Sequence, residues 1–108
     1  MITVVSRHWH KPKEGETDYY VGRGTPLGNP FSHLEGAKAQ FRVGSRDEAV
    51  DCYAAWLRQK LADKDPDVCG EMNRIFSLAK EGPVNLLCYC APQRCHAGVI
   101  KELIESKL

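Results

Sequence analysis

The sequence predicts a small α/β domain: a short, mostly parallel sheet flanked by helices in a Rossmann-like, three-layer arrangement. Three observations carry that expectation. The runs ITVVS (2–6) and VNLLCYC (84–90) are short and apolar, as buried strands are. Two segments between them repeat apolar residues at helical spacing behind recognisable start signals. The chain then closes with a strand, a short loop and a helix, the half-unit from which doubly wound sheets are built.

Each element has its own justification. The first strand, 2–6, gives way to RHWHKPKEGETD (7–18), whose polarity, Pro12 and Gly15 make it a loop. DYYVGR (18–23) reads as a second strand. GTPLGNPFSHLEGAK (24–38) carries three glycines and two prolines and is expected to be irregular. Ser45 and Glu48 then form an S-x-x-E capping box ahead of a stripe of Ala49, Val50, Tyr53, Trp56, Leu57 and Leu61. A second helix is predicted with Asp65 as N-cap and Pro66 as its first residue. It turns Val68, Met72, Ile75, Phe76 and Ala79 inward and stops at Gly82–Pro83. After the strand 84–90, a last helix from about Cys95 is predicted to bury Val99, Ile100, Leu103 and Ile104. The order is β, β, α, α, β, α, with no repeat or linker; the order of strands in the sheet is not readable from it.

Composition narrows the function. A chain of 108 residues, 43% hydrophobic and 27% charged, is expected to be one globular domain, 1–108. A net charge of +1 disfavours nucleic acid as a partner. No run approaches the roughly 18 apolar residues of a membrane span, so no membrane partner is expected, and MITVVSRHWH lacks the apolar region of a secretion signal. Five cysteines, three of them in CYCAPQRCH (88–96), suit a reducing cytoplasm better than a disulfide framework.

The unusual polar residues follow the predicted strands. Arg7, His8, Trp9 and His10 come after the first, Arg23 to Phe31 after the second, and Cys90 to His96 after the third. In a parallel sheet these loops share the carboxyl edge, where open α/β sheets bind ligands. Arg23 at a strand end is suited to bidentate contact with a phosphate or carboxylate. Asn29 is held extended by Pro30, which would aim its amide. The GRGTPLGNPF loop is not a dinucleotide fingerprint, and its glycines also suit a merely structural role. Trp9 fits either a stacking surface or the core.

The cysteine-rich ending fits three chemistries. Cys95 and His96 open the last helix, where N–H groups and the helix dipole favour a thiolate or a bound anion, and Arg94 adds positive charge. Cys95 with His96 beside it also has the elements of a nucleophile and base. Cys88, Cys90, Cys95 and His96 supply four zinc-type ligands, although C-x-C is tighter than zinc sites prefer and Cys95 and His96 are adjacent. Cys88 is equally explained as a small core residue.

Together, GRGTPLGNPF, EAVDCYAAWL and LLCYCAPQRCHAGVI resemble the family called domain of unknown function 4326, of phages and bacteria. That family's pattern is an I/V-G-R segment, a G-N-P-F loop, a Y-x-x-W/Y-L helix and an L-x-C-x-C-x-P-x-x-C-H-G/A ending. All four occur here in order, from about Tyr20 to Leu103. Tyr89 stands where the family often has Trp, Ala97 where Gly is usual, and the helical segment 66–82 is longer than typical. The resemblance implies no settled activity, only an outline similar to Rossmann-like nucleotide-binding folds. Phage residence would suit nucleotide modification or the capture of a host nucleotide signal.

The expected function is binding of a phosphorylated, nucleotide-like small molecule across the strand-end loops, with no cofactor and no metal. Arg23 and Arg94 would meet phosphate, the start of the helix at Cys95 and His96 would supply N–H groups, and Gly24 and Pro30 would border the ligand. Asn29 and Trp9 would address sugar or base. No acidic residue stands in these motifs, which favours binding over hydrolysis. The alternatives are a thiol-dependent enzyme using Cys95 and His96, and a zinc-stabilised interaction module. A shallow pocket on so short a chain would be better enclosed by a second copy, so a homodimer or larger homo-oligomer is expected.

Overall fold

A computed structural model of the chain describes residues 1–8, 10–22, 24–32, 41–89 and 94–108. Its elements are β1 (Ile2–Ser6), β2 (Thr17–Tyr20), β3 (Phe31–Ser32), β4 (Phe41–Arg42), α1 (Arg46–Ala62), α2 (Pro66–Glu81), β5 (Val84–Cys88) and α3 (His96–Glu105). The strand with the most continuous apolar run, β5, lies in the middle of a three-stranded sheet of order β1-β5-β2. Both neighbours run parallel to it, with Ile2 and Thr17 opposite Val84, and Val5 and Tyr20 opposite Leu87. The strand predicted over 18–23 is shorter than expected. It leaves the ladder after Tyr20, and Val21 N still donates to Leu87 O at 3.2 Å. β3 and β4 form a separate parallel pair of two residues each, too short to show a period in the sequence.

The helix ends follow their capping chemistry. Ser45 is extended, and its Oγ accepts from Glu48 N at 3.1 Å. Glu48 closes the box on Gly44 N, at 3.1 Å, rather than on Ser45 itself. Asp65 Oδ1 accepts from Asp67 N and Val68 N, both at 3.1 Å, with Pro66 in the first turn. Between the two helices Lys64 takes the left-handed conformation, φ 57.

Strand alternation divides the sheet into unlike faces. Ile2, Val4, Tyr19, Val84, Leu86 and Cys88 join one core with Tyr53 and Leu57 of α1, Ile75 of α2, and Ala97, Ile100 and Ile104 of α3. In α3 the fully buried stripe runs through His96, Ala97, Ile100 and Ile104. Val99 and Leu103, predicted to be buried, are only partly covered because they flank that stripe.

The opposite face carries Thr3, Val5, Asp18, Tyr20, Asn85 and Leu87. Over it pass residues 7, 8 and 10–16, the described part of the connection from β1 to β2. A parallel crossover usually contains a helix; the described part of this one contains none. Buried Asn85 fastens it, donating from Nδ2 to Glu16 Oε1 at 2.9 Å and to Asp18 Oδ1 at 3.1 Å. His10 Nε2 reaches the same Asp18 oxygen at 2.9 Å. The molecule is a small mixed α/β domain with short parallel sheets and three helices, and among the described residues those helices share one face of the sheet.

Candidate binding site at the carboxyl edge of the sheet

Because β1, β2 and β5 are parallel, Ser6, Tyr20 and Cys88 leave the sheet at one edge, and α3 starts beside it. Two side-chain clusters form there, one on each face.

The outer cluster draws on all three strands. Arg7 N donates to Cys88 O at 2.8 Å, which turns the side chain over the second face. Its guanidinium carbon lies 4.6 Å from the Tyr20 ring centroid and 5.8 Å from that of Tyr89. The His8 ring is 4.8 Å from Tyr89, tilted by 55°, and the two tyrosines meet edge to face at 6.1 Å. Tyr89 is 51% exposed, so this is an open aromatic surface with a cation on it. Gly22 lies so close beneath the Tyr20 ring that a Cβ there would collide with it.

The inner cluster is buried. Cys88 Sγ and Cys95 Sγ are 3.1 Å apart, in residues 1% and 5% exposed. His96 Nε2 lies 2.6 Å from Val21 O; a carbonyl only accepts, so Nε2 carries the proton. Tyr53 meets the His96 ring edge to face at 5.1 Å and donates its hydroxyl to Leu27 O at 2.7 Å. Burial, and then the charge of Cys95, pushes the Tyr53 phenol far above its usual range. α3 is thereby tied to the tail of β2, and the GTPLGNPF loop to α1. Cys95 is the extended N-cap of α3 but makes no side-chain cap bond, and no acidic residue occupies the first turn. That helix end therefore keeps its positive character.

The residues singled out in the sequence fare differently. Trp9, Arg23 and Cys90 lie outside the described residues. Gly24 is exposed with φ 92 and has space around it, so its role is the left-handed turn. The Asn29 amide works inside the fold: Nδ2 donates to Ala49 O at 3.3 Å and Oδ1 accepts from Phe31 N at 2.9 Å. Pro30 O accepts from Phe41 N at 2.8 Å, joining β3 to β4. Arg94 meets carboxylates rather than an open pocket. Nη2 is 2.8 Å from Asp51 Oδ1 and Nη1 3.2 Å from Asp47 Oδ1, and these bonds raise its already high pKa further. Cys95 and His96 do stand at the edge, though both are buried.

Sequence reasoning named Arg7 and His8 as unusual but gave them no role, and it absorbed Tyr20 and Tyr89 into strands. The signal was present in the alternation, which puts both tyrosines opposite the core. A separate opening of about 270 Å³ lies along the free edge of β2, between Asp18 to Tyr20, residues 24–27 and Glu71. Its charged lining is acidic, which disfavours anions. Among the described residues, no three of His, Cys, Asp or Glu are grouped to hold a metal ion, and no helix is long and apolar enough to cross a membrane.

No match was found among curated proteins or among solved structures. The family model described as "Domain of unknown function (DUF4326)" matches residues 4–106, which span both clusters and all elements apart from the first two residues of β1. On that match, the chain belongs to the DUF4326 family.

Proposed function

We propose that this domain binds a phosphorylated, nucleotide-like small molecule at the carboxyl edge of its parallel sheet, in the manner of Rossmann-like folds. The observation that carries the reading is the outer cluster, in which β1, β2 and β5 together present Arg7, His8, Tyr20 and Tyr89. A planar base stacks on exposed Tyr89 and His8, since every base offers a π-face to an aromatic ring. Arg7 lies close enough to these rings to meet an attached phosphate as a charge-assisted donor. The start of α3, whose N-cap Cys95 makes no side-chain cap bond, supplies a second anion-favouring feature on the same edge. Relative to the sequence-based assignment, Arg7 takes the role given there to Arg94, whose guanidinium is held by Asp47 and Asp51.

The thiol-enzyme alternative gains less support. Cys95 is 5% exposed, which closes it to a substrate of nucleotide size, and the His96 Nε2 proton is committed to Val21 O, so that nitrogen is no base. A homodimer closing over the shallow edge remains part of the proposal, as does a reducing cytoplasmic setting.

The test is calorimetric titration with adenosine diphosphate, adenosine and inorganic phosphate, together with native mass spectrometry of freshly purified protein. Binding of the diphosphate above the other two is expected. Tyr89→Ala should weaken it about 5- to 150-fold, the equivalent of about 1–3 kcal/mol of stacking, and Arg7→Ala should erase the preference for the phosphorylated compound. The mass spectrum reports retained ligand and the number of chains. Unchanged affinity in Tyr89→Ala would place the ligand elsewhere.

A further inference from the structure

We propose that Cys88 and Cys95 are an oxidisable pair that closes into a reversible disulfide, stapling the end of β5 to the N-cap of α3. The two sulfurs are 3.1 Å apart, about 1 Å beyond the roughly 2.05 Å of a disulfide bond, so rotation of the two side chains spans most of the gap. Both residues sit on fixed supports. Cys88 is the last residue of the central strand, paired with Ser6, and Cys95 is the residue from which α3 springs. Cys52 and Cys69 lie half-buried on α1 and α2, away from this strand end. The pair lies in the buried cluster and does not need the aromatic cluster that carries the ligand reading above.

The reaction balances with a hydroperoxide as oxidant. Burial disfavours the thiolate at both cysteines, and the helix N-terminus offsets this only at Cys95, which makes Cys95 the attacking residue of the pair. Its sulfur takes the terminal oxygen of the peroxide, the O–O bond breaks, and the alcohol or water leaves with the proton, giving a sulfenic acid. The Cys88 thiol then attacks that sulfur. The S–S bond forms, the S–O bond breaks, and the hydroxyl leaves as water with the Cys88 proton. Two thiols are oxidised by two electrons and one peroxide is reduced. Burial of the pair favours this intramolecular second step, since the neighbouring thiol is already in contact while solvent is held away.

The experiment treats reduced protein, purified without chelator, with one equivalent of hydrogen peroxide. Thiols are then alkylated and disulfide-linked peptides are mapped by tandem mass spectrometry. The expected result is the loss of two alkylatable thiols and of the mass of two hydrogens per chain, a Cys88–Cys95 link, and full reversal by dithiothreitol. Cys52→Ser/Cys69→Ser should behave like the parent, whereas Cys95→Ser should lose the link while keeping its circular dichroism spectrum. Because the mapping is done on the parent protein, a variant that fails to fold does not decide the matter. A link involving Cys90, a link between chains, or no linked peptide at all would overturn the assignment. So would one zinc ion retained per chain that shields both thiols from alkylation, because the pair would then be a metal site.

Discussion

Replacing Tyr53 by Phe removes one oxygen atom from the centre of the core and should leave a pH signature. Tyr53 is fully buried, and its hydroxyl donates to Leu27 O at 2.7 Å. Phe fills nearly the same space, so the cavity contribution is small and the loss is that of the hydrogen bond plus an acceptor left without it. That costs about 1–3 kcal/mol at neutral pH. For a chain of this size the melting midpoint falls by about 4 °C per kcal/mol. Alkaline conditions reverse the order. The Tyr53 phenol is held far above its ordinary value of about 10, so above that pH the unfolded chain releases a proton that the folded chain keeps. The parent's stability is therefore complete below about pH 10 and is lost as pH rises, by about 1.4 kcal/mol per unit from this one group. The Phe variant lacks that loss. Taking about 2 kcal/mol for the neutral gap, the two stability curves meet near pH 11.5. Urea unfolding of both proteins from about pH 8 to about pH 12 reads the difference directly, and the lysines and other tyrosines cancel in the subtraction. A gap that stays constant with pH would refute the argument, since it would mean that Tyr53 ionises equally well in the folded protein.

Three further outcomes are expected. Asn85→Ala removes the amide that joins Glu16 to Asp18 and should cost about 1.5–2 kcal/mol in urea unfolding, the low end for bonds to charged groups because the freed carboxylates regain water. Lys64→Gly should raise stability by about 1 kcal/mol, since φ 57 strains a residue with a Cβ and not glycine. Asp65 has its pKa lowered chiefly by the Val68 N–H, so its contribution is complete above the ordinary carboxylate range and disappears as pH falls through the folded-state value. Asp65→Ala should thus be the less stable protein at neutral pH and converge with the parent in acid unfolding experiments.

Much of the fold was legible because local chemistry decides it. Ser45 with Glu48, and Asp65 with Pro66, gave both helix starts from the needs of unpaired N–H groups alone. VNLLC declared itself a buried strand by having no polar alternation, apart from Asn85, and that exception marks the place where the crossover is fastened; that the strand is the central one came only from the pairing. What local reasoning could not reach was long-range pairing. Nothing near Arg94 in the sequence announces Asp47 and Asp51, which α1 brings to it, and nothing near Asn29 announces the Ala49 carbonyl. Asn29 reads as a ligand contact from the Pro30 that follows it and Arg94 from its charge at the start of the last helix, and in the structure both hold fold contacts. The idea that the strand-end loops share one edge depended only on the strands being parallel, and the pairing of β1 and β2 with β5 supplies that. The side chains on that edge, however, followed from which face each strand presents to the core.

The departure from a doubly wound sheet and the candidate site have one cause. A helix between β1 and β2 would carry the chain away from the edge before returning it along the second face. Here the chain turns back at once, with His10 N bonded to Ser6 O at 2.9 Å, so Arg7 and His8 come down beside Tyr20 and Tyr89 instead of standing above a helix. The polar anchors at Glu16, Asp18, His10 and Asn85 do what helix packing would otherwise do, with hydrogen bonds in place of apolar area. The ligand reading proposed above then implies that site and anchor are thermodynamically linked, even though Asn85 lies two residues behind Leu87 on β5, the partner of Tyr20. A ligand engaging Arg7 and His8 would favour the chain whose crossover is seated, and so would stabilise that seating as its concentration exceeds its dissociation constant. Loosening the anchor at Asn85 should therefore lower affinity at the aromatic cluster without any contact between Asn85 and the ligand, because part of the binding free energy is used to restore the crossover.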